Sequence, residues 1–160
     1  MYLYHMVNSD NPRLAVSEGL NAKTASQWYT NGGELFPEIT KKLRPFHVPE
    51  WLDFAIAFGA ELTPRETSYL KFPVLTDKIA VFNREISSDL FAYVEDEYME
   101  AETGGGYFTK GLPSKEELIR AYWNSRMSLT DYLQTTPYKQ AEILIFETIP
   151  GTLVEYCLES

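Results

Sequence analysis

Residues 138–156, YKQAEILIFETIPGTLVEY, decide how this chain is read. Ala141 to Phe146 is a nearly unbroken apolar and β-branched run, ended by Glu147 and then by the turn pair Pro150–Gly151. A half-exposed strand would alternate apolar with polar residues, so this run predicts a strand buried on both faces. Leu153 to Leu158 offers a second strand after the turn, and the two together predict a hairpin or meander. Glu142 breaks the pattern. An unpaired carboxylate at the mouth of a buried strand is expensive. Glu142 therefore has a cationic or hydrogen-bonding partner, or the strand end opens into a site; a salt-bridged or rim-exposed glutamate is the simpler of the two.

The totals bound the rest. One hundred and sixty residues fit a single domain, 1–160, with a helical segment at about 34–72. The composition, 44% hydrophobic and 23% charged, is enough to build a core. A net charge of −9 argues against a broad electrostatic footprint for nucleic acid or an anionic membrane. Cys157 is the single cysteine, so no internal disulfide can form and, with His5 and His47, no zinc-ligand spacing arises. The opening MYLYHMVNSD lacks the basic flank and long apolar run of a signal peptide, and no run reaches the length of a membrane span. The expectation is a cytoplasmic protein with no membrane partner and no metal site; its oligomeric state does not follow.

Tyr2 to Val7 predicts a first strand with His5 inside it. Asp10 or Asn11, followed by Pro12, predicts the start of a short helix that Gly19 closes. Residues 21–33, NAKTASQWYTNGG, predict a loop. The proline-broken middle predicts helical pieces, one running from Pro49 to about Phe58 with Trp51, Phe54, Ala55 and Phe58 on one face. Lys78 to Asn83 and Leu90 to Val94 predict two further strands. The carboxylate-rich 95–102, EDEYMEAE, predicts a solvated helix start, and Gly104-Gly105-Gly106 a hinge or loop tip rather than a phosphate loop, since no lysine follows in place. Residues 113–127 give the clearest helix, opened by a capping box of Ser114 and Glu117. Residues 130–140 predict a polar loop. Nothing in the chain has the spacing of a Ser-His-Asp nucleophile.

Three features then converge: a histidine in the first strand, the Ser17-Glu18-Gly19-Leu20 step, and Lys139-Gln140-Ala141-Glu142-Ile143-Leu144-Ile145 opening the late strand. With LYHMVNSDN at residues 3–11, these resemble the ADP-ribosyltransferase superfamily, nearest the DarT-like group of bacterial DNA ADP-ribosyltransferase toxins and its uncharacterised relatives. The resemblance covers about the first and last twenty-five residues. Gln140-Ala141-Glu142 is similar to the superfamily's Gln-x-Glu signature. It implies an α+β fold with a split, mostly antiparallel sheet surrounded by helices. It also implies NAD as substrate: cleavage of the nicotinamide–ribose bond and transfer of ADP-ribose to a macromolecular acceptor, protein or nucleic acid. The implied catalytic residues are Glu142, which would stabilise the oxocarbenium-like ribose, and Gln140, which would orient the acceptor. His5, Asn8, Gly19, Asn21, Thr24 and Tyr93 are the implied NAD-binding residues, with Tyr69 and Tyr107 as rivals to Tyr93 for stacking on nicotinamide. Arg84 and Arg44 are candidates for the phosphates. N- and C-terminal strands that are neighbours or nearly so would bring His5 and Glu142 to one cleft. The alternative is a non-catalytic, acidic protein-binding module of the immunity or inhibitor type, which would use charge complementarity with a basic partner. A metal-dependent hydrolase using the acidic run ranks last.

Overall fold

The apolar run of the opening stretch forms a strand whose last four residues are all buried. It lies in a mixed α+β fold with two small antiparallel sheets and helices packed against them. The computed structural model describes residues 1–7, 12–25, 38, 39, 41–64 and 68–158. In chain order these form β1 (Tyr2–Met6), α1 (Leu14–Glu18), a 3₁₀ turn (Phe54–Ile56), β2 (Phe58–Ala60), β3 (Ser68–Pro73), β4 (Ile79–Asn83) and α2 (Arg84–Thr103). There follow α3 (Lys115–Asn124), α4 (Leu129–Thr135), β5 (Ala141–Ile145), a second 3₁₀ turn (Gly151–Leu153) and β6 (Glu155–Leu158).

One sheet has the order β1-β3-β6 and the other β2-β5-β4, so the strand read first is the centre of its sheet. His5 stands opposite Leu70 in the first sheet, and Glu142 stands opposite Phe82 in the second. The sheets meet at one point. Tyr4 and Glu61 exchange backbone hydrogen bonds of 3.0 and 2.7 Å, which carries β1 alongside the end of β2. On the far edge, Val81 and Met127 exchange two bonds of 2.8 Å and cover β4.

Side chains alternate along a strand, so the two faces of the β5 sheet feed two separate apolar clusters. Ile143 and Ile145 pack with Phe58, Ala60, Ile79 and Val81, and across to Leu3, Leu70 and Phe72 of the other sheet. Ala15, Leu20, Leu129 and Tyr132 close this first cluster. Leu144 and Phe146 pack the other way with Ala80 and Phe82, under Leu90 and Val94 of α2 and Leu118, Ile119, Tyr122 and Trp123 of α3. Trp123 donates its indole N–H to the Ile39 carbonyl at 3.0 Å, and Lys115 pairs with Glu38 at 2.7 Å. These bonds tie residues 38 and 39 to α3.

Several local expectations are corrected. The last two strands form no hairpin or meander: β5 is in the β2-β5-β4 sheet, and β6 pairs with β3 in the other. Leu90 to Val94 is not a strand but part of the 20-residue α2, which starts at the Asn83 cap and buries Ser87, Leu90 and Val94 at helical spacing. The short apolar word LFAYV fits either period, and the flanking Asn83 cap was the cue to the helix. The helix from Pro49 to Phe58 is also absent. Asp53 caps only a 3₁₀ turn, and Phe58 opens β2, so the described part of 34–72 keeps helix at residues 38, 39 and 41 and otherwise contributes that turn and two strands. Residues 130–140 contain most of α4, whose N-cap Ser128 accepts from the Asp131 N–H. The helix opened at Ser114 has its capping box complete, but it ends at Asn124, and Met127 lies beyond it, bridged to Val81. The first helix starts later than expected, at Leu14 with Arg13 as its N-cap, so Pro12 belongs to the turn before it; Asp10 and Asn11, and residues 26–33 of the expected loop, lie outside the described residues.

The Gly19-Leu20 step has a packing role. Leu20 and Ile149 exchange backbone bonds of 2.8 and 2.9 Å, which docks the end of α1 on the turn after β5. Gly151 lies so close that a Cβ there would sit 2.3 Å from the Val16 carbonyl oxygen. Backbone cannot yield as a flexible side chain can. Gly151→Ala is therefore expected to cost about 3 kcal/mol in urea unfolding, the upper range for overpacking a tight contact.

Candidate functional site

Glu142 is buried, 6% exposed, at the head of the central strand, and it faces the cluster under α2 and α3. Tyr122, fully buried on α3, donates its hydroxyl to Glu142 Oε1. The Tyr122 ring is itself fixed by stacking on Phe82, with centroids 4.3 Å apart and planes 2° from parallel. Ser87, one turn into α2, is also within hydrogen-bonding reach of the carboxylate, and Arg84 acts on it through its charge. Burial raises the Glu142 carboxyl above the ordinary glutamate range. The Tyr122 and Ser87 bonds and the Arg84 charge oppose this without cancelling it.

Arg84 is positioned by the sequence around it. Asn83 ends β4 and caps α2, so the guanidinium leaves the first helical turn directly above the sheet end. The Arg84 backbone N–H donates to the Gln140 carbonyl at 3.0 Å. Its guanidinium meets Glu61 at 3.2 Å, with side chains 17% and 14% exposed. Continuing the β2–β5 register one step past Ala60↔Ile143 sets Glu61 beside Glu142. Arg84 is thus common to two carboxylates: its guanidinium pairs with Glu61, and its charge acts on Glu142, to which Tyr122 and Ser87 bond. Such a group can stabilise a developing cation and orient a hydroxyl-bearing ligand.

The other expected residues lie elsewhere. His5 is 2% exposed in the first cluster, where its Nδ1–H donates to the Gly59 carbonyl at 2.7 Å and its ring meets Phe58 edge-on. Burial lowers its basicity, partly offset by the Gly59 bond. Tyr4, the neighbour of His5 in β1, pairs with Glu61, so Tyr4 and not His5 shares the Glu61 face. His5 and Glu142 consequently face opposite sides of the sheet. The expected single cleft is split.

Gly19, Asn21 and Thr24 are together, on the side of the first cluster, and their polar groups serve one another. Asn21 Oδ1 accepts from the N–H groups of Lys23 and Thr24, and the Thr24 hydroxyl donates to the Gly19 carbonyl at 2.6 Å. Gln140 is exposed and precedes the first residue of β5. Tyr93 is on α2, its hydroxyl donating to the Pro113 carbonyl, which ties the following loop to the helix. Tyr69 is half-buried on β3, edge-on to Tyr4, on the face that leads to Glu61. Tyr107 is 70% exposed on the loop after α2. Arg44 lies over the Trp123 ring and donates to the Pro49 carbonyl. Asn8 lies outside the described residues.

Within the acidic run, Asp96 is the buried member. Burial would raise its carboxyl, but bonds from the Thr109 hydroxyl and the N–H groups of Phe108, Thr109 and Tyr107 outweigh this and hold it below the usual range. The run therefore organises a loop. Among the described residues, no group of three or more His, Cys, Asp or Glu side chains converges as a metal site. No described helix is long and apolar enough to cross a membrane. Sequence reasoning missed Tyr122, Ser87 and Glu61. Ser87 and Arg84 sit three apart on one helix face, a signal hidden by reading Leu90 to Val94 as a strand.

No protein-family model, no curated protein and no solved structure matches this chain.

Two measurements check this description. A glutamate whose folded carboxyl is raised stabilises the fold below its unfolded pKa, and loses that contribution as pH rises toward the folded value. Glu142→Gln removes the titration, so its melting temperature relative to wild type should climb steadily from pH 4 to pH 8. For the loop, Asp96→Ala should speed hydrogen exchange of the Phe108 and Thr109 amides at least tenfold, read by NMR, while leaving the β5 amides protected.

Proposed function

We propose that the chain is a NAD-dependent mono-ADP-ribosyltransferase-like protein whose reactive centre is the end of the β2-β5-β4 sheet. The observation that carries this reading is Glu142: a carboxylate at the head of a central strand, withdrawn from water and held by Tyr122 and Ser87 beside Arg84. In this reading the two sheets joined at Tyr4–Glu61 are the two halves of a split sheet of ADP-ribosyltransferase type.

The chemistry suits that placement. As the bond from ribose C1′ to the nicotinamide nitrogen breaks, its electron pair leaves with nicotinamide, and positive charge spreads over C1′ and the ring oxygen. A fixed anion in a dry setting stabilises that charge far more than it would in water. The acceptor's nucleophilic atom then bonds to C1′ and releases its proton to solvent. Arg84 supplies positive charge for the phosphates, and Tyr69 and Tyr4 supply aromatic surface on the adjoining face. Gln140, at the exposed entry to β5, is placed to meet an acceptor. His5 has no part at this centre; its side chain lies in the other cluster.

That same observation favours a second reading. Glu142 is sealed, and the histidine that the resemblance pairs with it faces the far side of the sheet. A non-catalytic member that keeps the scaffold and binds a basic protein partner would show both features.

Calorimetry with NAD and an assay for nicotinamide release separate the two. Wild type should bind NAD with micromolar to millimolar affinity and release nicotinamide. Glu142→Gln should retain binding and lose about 10²–10³-fold in turnover, the scale set by removing one group that stabilises transition-state charge. No heat and no thermal shift at several millimolar NAD would remove the enzyme reading and leave the binding module.

A further inference from the structure

We propose that Tyr122 is the positioning residue of this site, its hydroxyl fixing the orientation of the Glu142 carboxylate at the head of β5. The proposal rests on the NAD-cleaving reading above. It deepens that reading by assigning the orienting task to one donor, Tyr122 on α3, over Ser87 and Arg84.

Several groups surround the carboxylate, and their proton inventories differ. Ser87 has one hydroxyl proton and two acceptors within reach, Glu142 and the Arg84 carbonyl at 3.0 Å, and it can serve only one at a time. Arg84 divides its guanidinium between the Glu61 ion pair and the field at Glu142. Tyr122 is different. Its hydroxyl is directed at Glu142 Oε1 from a ring that cannot swing away. The ring is fully buried, stacked face to face on Phe82 and packed against Phe54. Phe82 stands directly opposite Glu142 across the β4–β5 ladder, so the group that holds the tyrosine is the cross-strand neighbour of the group that the tyrosine holds. Ring, phenylalanine and carboxylate form one rigid unit.

The consequence is chemical. A carboxylate that stabilises a ribosyl cation must be ionised when the bond breaks, and burial works against ionisation. A hydroxyl donor on a fixed ring counters burial without adding to the positive charge that Arg84 already brings. An arginine in the same position would repel that cation.

The test uses the full chain labelled with ¹³C at glutamate carboxyls, with the Glu142 signal assigned by its loss in Glu142→Gln. Tyr122→Phe keeps the ring and its stacking and removes only the donor. The Glu142 signal should titrate at higher pH than in wild type. Turnover by Tyr122→Phe should fall about tenfold or more at pH 6 with KM for NAD unchanged, and the deficit should shrink as pH rises. A purely structural tyrosine would lower the melting temperature and leave the pH profile of turnover unmoved. Should Tyr122→Phe fail to fold, 3,5-difluorotyrosine at position 122, a stronger donor of similar shape, should move the titration to lower pH. An unchanged Glu142 titration in these proteins overturns the proposal whether or not the wild type turns over NAD. A shifted titration in a wild type that releases no nicotinamide overturns the NAD reading instead, and leaves Tyr122 the anchor of a structural carboxylate.

Discussion

Alternation along a doubly buried strand is the constraint on which this structure depends. β5 has no solvent face, so each successive residue must be matched by a partner on one side or the other. Ile143 and Ile145 commit to the cluster shared with β1 and β3, and Leu144 and Phe146 to the cluster under α2 and α3. Glu142 falls in the second set by parity alone. Once it does, the helices over that face have to supply hydrogen bonds, and they do so through Tyr122 and Ser87. A one-residue slip of β5 would turn the carboxylate into the apolar cluster with Phe58 and Phe72, away from Tyr122 and Ser87.

The same parity explains why a histidine and a glutamate that look like site partners are kept apart. β1 is bound to the second sheet through Tyr4, and the Tyr4–Glu61 exchange decides which β1 side chains reach that sheet's open end. His5 is adjacent in sequence and therefore opposite in space. Its ring settles among Phe58, Leu70 and the Gly59 carbonyl, as a core histidine does. The residues that do gather around Glu142 come from four elements: Glu61 after β2, Arg84 and Ser87 of α2, Tyr122 of α3, and Phe82 of β4.

Acidity is distributed to similar effect. Of the carboxylates in residues 95–102, Asp96 is turned inward to collect the N–H groups of a glycine-led loop, and the others remain at the helix surface. Glu142 and Asp96 are both buried, yet their carboxyls shift in opposite directions. Asp96 receives a hydroxyl and several backbone donors, enough to overcome desolvation. Glu142 receives fewer, and desolvation wins. Depth and donor number act together: Glu142 lies deeper and collects fewer donors, and Asp96 lies nearer the surface and collects more.

The sequence alone determined the elements whose signals are local. The doubly apolar β5 and β4, the first strand with its histidine, the Ser114–Glu117 capping box and the glycine that closes α1 were all legible, because each depends on residues within a few positions of one another. Leu90 to Val94 and residues 130–140 were misread where a short segment fits two periods and only the capping residues, Asn83 and Ser128, break the tie. That Glu142 needed a partner was also legible, since a buried charge demands one. Which partner it has was settled only in the tertiary structure. Tyr122 is twenty residues away and Glu61 more distant still, and their meeting depends on strand register and on how α3 crosses the sheet. Local pattern carries no information about register between distant strands, and register is what sends His5 to one face and Glu142 to the other.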